Sequence, residues 1–372
     1  MDKRVIIIGA GPAGLAVAGS LVQRGVQAVV LERAEQVGSS WRSHYERLHL
    51  HTVKTHSALP GLPFADTTPQ YAPRLAVVDY LEQYARHFDV RPLYGQQVLA
   101  IRPDVSGWAV TTGRGDRFQA DAVVIASGAN RHPRVLEFAG QPSFQGKIVH
   151  SDQYRNAEPF KGRRVLVVGM GNTGAEIALD LVEQGVSAAL SVRAPVNIVR
   201  RDVLGRPTQL SSIALSRLPP AVGDRVATLL RNLTVGSLRR WGLETADQSP
   251  LRQLREQGKT PVIDVGTVAR IRRGEIPVHP GIARFSADGV QFTNGQTHAF
   301  DAVVLATGYE ARLQDLLPET TIDVDANGMP LEVIGRGSRE GLFFVGFDIR
   351  QPGGLLRTIA SQAKAVAAEL AS

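Results

Sequence analysis

Three glycines spaced as Gly9, Gly11 and Gly14 can bring a backbone against a pyrophosphate. They lie in KRVIIIGAGPAGLAVAGSLVQRGVQAVVLER, residues 3–33. The first makes a tight turn, the second leaves room for the phosphates, and the third lets a helix seat against the strand. Pro12 and Ala13 complete the turn, and the helix that follows aims its positive end at the anion. Glu32 closes the second apolar run, where a carboxylate accepts two ribose hydroxyls, and Arg33 follows it. A second set, Gly169, Gly171 and Gly174 with Asn172 and Thr173 between them, lies in RRVLVVGMGNTGAEIALDLVEQGVSAALSVR, residues 163–193. Here Val192 stands where Glu32 stood and Arg193 comes next. A ribose 2′-phosphate would be held there by a guanidinium and not repelled by a carboxylate. Arg200 and Arg201 are near enough in sequence to supplement it. The spacing therefore predicts two dinucleotide sites, the first for FAD and the second for NADPH, with hydride chemistry carried by the cofactors.

These glycines need the same supporting elements twice. Each set follows an apolar run and precedes a helical pattern and a second apolar run, which is a βαβ unit. A second landmark also recurs. Asp121–Gly128 reads DAVVIASG and Asp301–Gly308 reads DAVVLATG, identical at six of eight positions, with Gly128 and the Thr307-Gly308 pair ending each at a nucleotide site. A hairpin pattern precedes each, at Trp108–Gln119 and at Phe285–Phe300. The segment Gly341–Ser372 reads as a strand containing Gly346, a turn through Pro352, Gly353 and Gly354, and a last helix opening at Leu355. The predicted fold class is α/β, with two Rossmann-like dinucleotide-binding domains and the NADPH domain inserted into the FAD domain. The expected boundaries are 1–157 for the first part of the FAD domain, 158–300 for the NADPH domain, and 301–372 for the return segment. Linkers are expected at Tyr154–Lys161 and near Phe300. A helical insertion at about 205–250 reads as a lid, as an amphipathic patch at a membrane surface, or as plain packing.

Composition narrows the chemistry. The chain has 372 residues, 43% apolar and 21% charged, which excludes a disordered or fibrous protein. It has no cysteine, so electrons cannot pass through a cysteine pair within this chain, and no thiol can act as nucleophile or metal ligand. Net charge is +7, and 36 of the 42 basic residues are arginine. No basic tract interleaved with aromatics accompanies that excess, so no nucleic-acid partner is expected. The uncharged stretch Val5–Val22 contains Gly9, Gly11, Pro12 and Gly14 and suits a turn better than a membrane span or export signal. A cytoplasmic location is expected, membrane contact is not, and a homodimer stays open. No metal site stands out.

Between the two modules, Phe144, Gly146, His150 and Tyr154 form the pattern FxGxxxHxxxY. On this motif the chain resembles the flavin-containing monooxygenases. Stretches such as ERLHLHTVKTHSALPGLPF and GKTPVIDVGTVARIRRGEIPVHPGI are similar to the YUCCA-type branch. The resemblance covers nearly the whole chain. It implies that NADPH reduces FAD and that dioxygen then forms a C(4a)-peroxyflavin. It also implies a small organic substrate, either an aryl keto acid such as indole-3-pyruvate or a soft sulfur or nitrogen nucleophile. An NADPH-dependent flavin reductase or oxidase, passing electrons to dioxygen or a protein, is the alternative. By the same resemblance Ser39, Ser40, Trp41 and Arg42 lie along FAD and Val98 meets its adenine. His51 and Lys54 face flavin and substrate, with Lys54 available to a substrate carboxylate.

Overall fold

The computed structural model describes residues 3–372, so Met1 and Asp2 of the expected first domain lie outside the described residues. The chain folds into two compact units. One takes the residues up to Ser43, then Thr52–His132 and Tyr309–Ser372; the other takes His44–His51 and Pro133–Gly308.

The first unit is built on a four-stranded parallel sheet ordered Ala28–Leu31, Val5–Ile8, Ala122–Ile125, Leu342–Phe344. Val5 to Ile8 are all buried, as a strand covered on both faces requires, and each such side chain contributes about 1.5–3 kcal/mol. The helix Pro12–Val22 is apolar almost all round and is buried from Ala13 to Leu21. It packs against the C-terminal helix Leu355–Leu370 and crosses the helix Arg74–His87 at Gly19. A Cβ on Gly19 would stand 2.6 Å from the Tyr84 hydroxyl. The predicted hairpin is the last two-thirds of an antiparallel meander, Val98–Asp104, Gly107–Thr112 and Arg117–Ala120.

The second unit repeats the plan. Its five parallel strands run in the order Val278–His279, Ser187–Ser191, Arg164–Val168, Ala302–Leu305, Lys147–His150. An antiparallel meander, Ile282–Phe285, Gly289–Phe292 and Thr297–Ala299, precedes Ala302 as its counterpart precedes Ala122. Each copy opens with the same clamp. The Arg4 guanidinium meets Asp121 at 2.7 Å, and that of Arg164 meets Asp301 at 2.8 Å. In both, the aspartate also accepts the arginine's backbone N–H. Hydrogen bonding to Arg164 holds the Asp301 carboxyl down at about 2.

The unit boundaries differ from those expected. Lys147–His150 and Ala302–Leu305 pair with each other inside the second sheet, so the chain leaves that unit after Gly308 and not near Phe300. Tyr154–Lys161 is not a linker. Tyr154, Ala157 and Phe160 are buried in the second unit's core, because three apolar side chains in seven residues find a common pocket there. His44–His51, placed by sequence in the first domain, belongs to the second unit through buried Tyr45 and Leu48 beside it.

The insertion is helical, with Thr208–Leu215, Pro220–Thr234 and Pro250–Gln257. Arg231 anchors it. Its guanidinium is buried and donates to Asn197 Oδ1 at 2.5 Å and to the Ala246 carbonyl at 2.8 Å, while Asn197 donates onward to Gln253 at 2.9 Å. Among the described residues no helix is long and apolar enough to cross a membrane.

Candidate functional site

Both glycine sets make tight turns at the start of a helix. Gly9 and Gly169 have φ of +106° and +103°, a region that favours glycine. A Cβ on Gly14 would lie 1.8 Å from the Gly9 carbonyl oxygen, and one on Gly174 would lie 2.0 Å from that of Gly169. Gly11 and Gly171 differ: a Cβ on either would meet nothing within 4 Å. That open space in front of an uncapped helix start fits a phosphate group.

In the first unit, Glu32 is buried at the end of its strand. Its carboxylate accepts the Ala10 N–H at 2.7 Å and the Ala34 N–H at 2.9 Å, with the Ser39 hydroxyl at 3.5 Å. Oε2, with one donor, keeps a lone pair for a ribose hydroxyl, and Oε1 has only the long contact to Ser39 to exchange for one. Ser40, Trp41 and Arg42 lie on the short helix Ser39–Ser43, and Arg42 is held by the Val37 carbonyl and Glu82. Val98 is buried where the meander begins, in a cluster with Ile8, Leu31 and Ala129. Gly128 has φ of +89° and open space beside it. Gly346 has φ of +88°, and a Cβ there would press on Ala13 at 2.9 Å, so it keeps the last strand against the fingerprint turn. Leu355 begins the C-terminal helix, whose first N–H groups have no side-chain cap.

Two further groups fit an anionic cofactor, and sequence reasoning did not single them out. Ser127 Oγ and Arg131 Nη1 are buried without a hydrogen-bond partner. Burial and the nearby Arg33 both push the Arg131 guanidinium's pKa down. Arg131 is half-buried and feels Asp315, but its buried Nη1 lacks an acceptor, and a negative group would supply one. The signal available in sequence was the unusual Arg131-His132 pair directly after the small-residue turn.

In the second unit, Arg193 is exposed just beyond the strand Ser187–Ser191, and no carboxylate pairs with it among the described residues. A Cβ on Gly281 would lie 3.1 Å from the Arg193 Cβ, so the Pro280-Gly281 turn forms the wall beside it. Arg200 is exposed, whereas Arg201 pairs with Asp202 at 3.1 Å. The Asn172 side chain accepts the Ile263 N–H at 2.7 Å, tying the fingerprint helix to the strand Val262–Asp264. Thr307 donates its hydroxyl to the Arg134 carbonyl. Gly308 receives the N–H of Arg134 at 2.9 Å and Nε2–H of the buried His150 at 3.2 Å. His150 Nδ1 in turn accepts the Asp152 N–H at 3.2 Å. The motif histidine thus ties the landmark turn of the second module in place.

One face of the fingerprint helix Asn172–Glu183 carries three carboxylates, Glu176, Asp180 and Glu183, at four- and three-residue spacing. Glu176 is buried and meets His51 Nε2 at 2.5 Å. Asp180 accepts the Tyr154 hydroxyl at 2.6 Å, and burial raises the pKa of both groups. Glu183 meets Arg47 at 2.9 Å. These carboxylates explain how residues 44–51 and the motif tyrosine are held. Lys54 takes a different part from the one expected. Its ammonium donates to the carbonyls of Ala65, Asp66 and Thr68 at 3.0, 2.8 and 2.6 Å, so all three donors anchor a loop and none is left for a substrate carboxylate.

A family model described as flavin-binding monooxygenase-like matches residues 2–364. Indole-3-pyruvate monooxygenase YUCCA6 of Arabidopsis thaliana is 39% identical over 357 residues, covering 93% of this chain and 85% of that protein. Indole-3-pyruvate monooxygenase YUCCA1 of Oryza sativa is 38% identical over 360 residues, covering 95% and 88%. Among solved structures, a flavin monooxygenase variant from Stenotrophomonas maltophilia superposes with a TM-score of 0.75 at 25% identity, covering 100% of this chain and 99% of that one.

Proposed function

The chain belongs to the flavin-binding monooxygenase-like family, and from that premise we propose that it uses FAD, NADPH and dioxygen to decarboxylate an aryl α-keto acid such as indole-3-pyruvate oxidatively. The observation that carries this reading is the 39% identity to an indole-3-pyruvate monooxygenase over 93% of the chain. When bound, the two cofactors supply hydride transfer to the flavin and the reaction of reduced flavin with dioxygen. The overall reaction consumes one NADPH, one proton and one dioxygen per keto acid. It yields the acid shortened by one carbon, carbon dioxide, water and NADP⁺.

The protein's own part is binding and orientation. Gly9, Gly11 and Gly14 bring the first backbone turn to the FAD pyrophosphate, Glu32 takes the adenosine ribose, and Arg131 with Ser127 supplies donors to the anionic half of that cofactor. The amino end of Leu355–Leu370 offers uncapped N–H groups for negative charge on the flavin ring. Gly169, Gly171 and Gly174 repeat the arrangement for NADPH, with Arg193 on its 2′-phosphate. His51, held by Glu176, has a fixed ring and serves as a positioning residue.

The test is product analysis with NADPH in air, supplying indole-3-pyruvate or a methyl thioether. The expected result is indole-3-acetate formed in proportion to NADPH consumed, with little sulfoxide. Efficient sulfoxidation without decarboxylation would move the substrate class to soft nucleophiles. Complete diversion of NADPH electrons to hydrogen peroxide with both substrates would refute the substrate assignment.

A further inference from the structure

The insertion presents a surface that the chemistry above does not use. Helix Pro220–Thr234 turns Gly223, Ala227 and Arg231 inward. On the far side, Val222, Leu229 and Leu233 are 45, 58 and 74% exposed. With half-buried Val226 they recur at four, three and four residues, which is one continuous apolar stripe. Leu218, in the turn before the helix, is also exposed, and Leu230 widens the stripe. Isolated exposed leucines need no explanation, but an ordered stripe opposite the packed face does.

The charge around this stripe is mainly positive. From Leu204 to Leu243 there are six arginines and a single carboxylate, Asp224, with Asp202, Glu244 and Asp247 just outside that span. That carboxylate is already engaged by Arg255 at 2.9 Å and the Ser249 hydroxyl at 2.7 Å. Arg231 is committed inside the fold. Arg217, Arg225, Arg239 and Arg240 are exposed, and none pairs with a carboxylate among the described residues. Directly after the helix, the Arg240 guanidinium lies 3.7 Å above the Trp241 ring. These two line a surface cavity of about 540 Å³ with Ser237 and Arg272, and no acidic residue lines it.

We propose that this helix and the turn after it dock on the surface of an anionic lipid bilayer. The apolar stripe enters the boundary between headgroups and acyl chains, Arg217, Arg225 and Arg239 reach lipid phosphates, and the Arg240–Trp241 cavity receives a headgroup phosphate. The occupant must bring apolar depth and negative charge together, and a bilayer brings both. A two-fold contact with a second copy would set the same unpaired arginines against one another, with no acidic complement in the stripe. At 15 residues the helix is too short to span a bilayer, so it lies in the interface plane.

The experiment is co-sedimentation of the full chain with sucrose-loaded vesicles, either phosphatidylcholine alone or phosphatidylcholine containing phosphatidylglycerol. Binding should be at least about tenfold tighter on the anionic vesicles and should fall in high salt. L229S/L233S should weaken it by more than about tenfold, and R225Q/R240Q by about thirtyfold. All four side chains are exposed, so NADPH turnover should stay unchanged in both variants, and the thermal midpoint should move by no more than about 4 °C, the Arg240–Trp241 contact included. Equal pelleting with neutral and anionic vesicles would overturn the proposal, as would variants that bind as well as the parent. Loss of a dimer in light scattering, caused by L229S/L233S, would assign the stripe to a second copy and overturn it too.

Discussion

Replacing Tyr154 with phenylalanine removes one oxygen atom and little else. The ring stays stacked on Phe160, with centroids 5.7 Å apart. What disappears is a 2.6 Å hydrogen bond to Asp180, with both residues buried. A hydrogen bond to a carboxylate in such a place is worth about 1.5–3 kcal/mol, because Asp180 loses the hydroxyl donor that the fold holds against it. For a unit of this size each kcal/mol lowers the melting midpoint by about 2–4 °C, so a loss near 2 kcal/mol should cost about 4–8 °C at pH 8. The loss should also depend on pH. Burial raises the folded-state pKa of Asp180, with the Tyr154 hydroxyl opposing the rise. A raised folded pKa means that the carboxyl's contribution is fully present below its unfolded pKa and is lost as pH rises through the folded one. Removing the hydroxyl raises the folded pKa further and steepens that loss, so Y154F should be more damaging at pH 8 than at pH 4. Thermal and urea unfolding at the two pH values test this. A loss under about 0.5 kcal/mol at pH 8, or a larger loss in acid, would refute the reasoning that the pair is buried and hydrogen-bonded and that the hydroxyl opposes the rise in the Asp180 pKa.

The glycines permit a sharper contrast within one motif. G11V should leave the melting midpoint of the cofactor-free protein nearly unchanged, since its Cβ meets nothing within 4 Å, yet abolish FAD retention on gel filtration. G14A should destabilise the cofactor-free protein by about 3 kcal/mol, because its methyl group would stand 1.8 Å from the Gly9 carbonyl oxygen. Similar midpoints for the two variants would contradict the assignment of space to phosphate and of contact to packing. R193Q should raise KM for NADPH by about 10- to 100-fold while leaving that for NADH within about threefold, as expected for one charge-assisted phosphate contact; equal effects on both nucleotides would remove Arg193 from the 2′-phosphate.

The parts of the fold legible in sequence are those where local geometry leaves few options. Gly9 and Gly169 must adopt positive φ, and Gly14 and Gly174 have no room for a methyl group, so the residue type declares the conformation. The two DAVV runs declare themselves as buried parallel strands because both faces are covered. Other features depend on partners far along the chain. Ala302–Leu305 looked like the start of the return segment, yet it slots between Arg164–Val168 and Lys147–His150. Residues 44–51 carry no periodicity, and Tyr45 in the second core together with the carboxylates of a helix more than 120 residues away explains where they sit. Lys54 shows the limit at a site. A lysine beside a suspected substrate pocket reads as a charge, and nothing in its neighbours announces three carbonyls 11 to 14 residues later.

The order of the first sheet bears on how the chain is made. Val5–Ile8, Ala28–Leu31 and Ala122–Ile125 are synthesised early, but the fourth strand, Leu342–Phe344, follows more than 200 residues later. At about 5–20 residues per second, the ribosome needs roughly 10–40 s to cover that interval. Throughout it the edge of Ala122–Ile125 has no neighbour, and the fingerprint helix lacks its C-terminal cover. Every segment of the second unit has by then emerged, since its last residue is Gly308. The nascent protein therefore completes its second nucleotide cradle before its first, and the open edge of the earlier-made sheet is the surface a chaperone would meet.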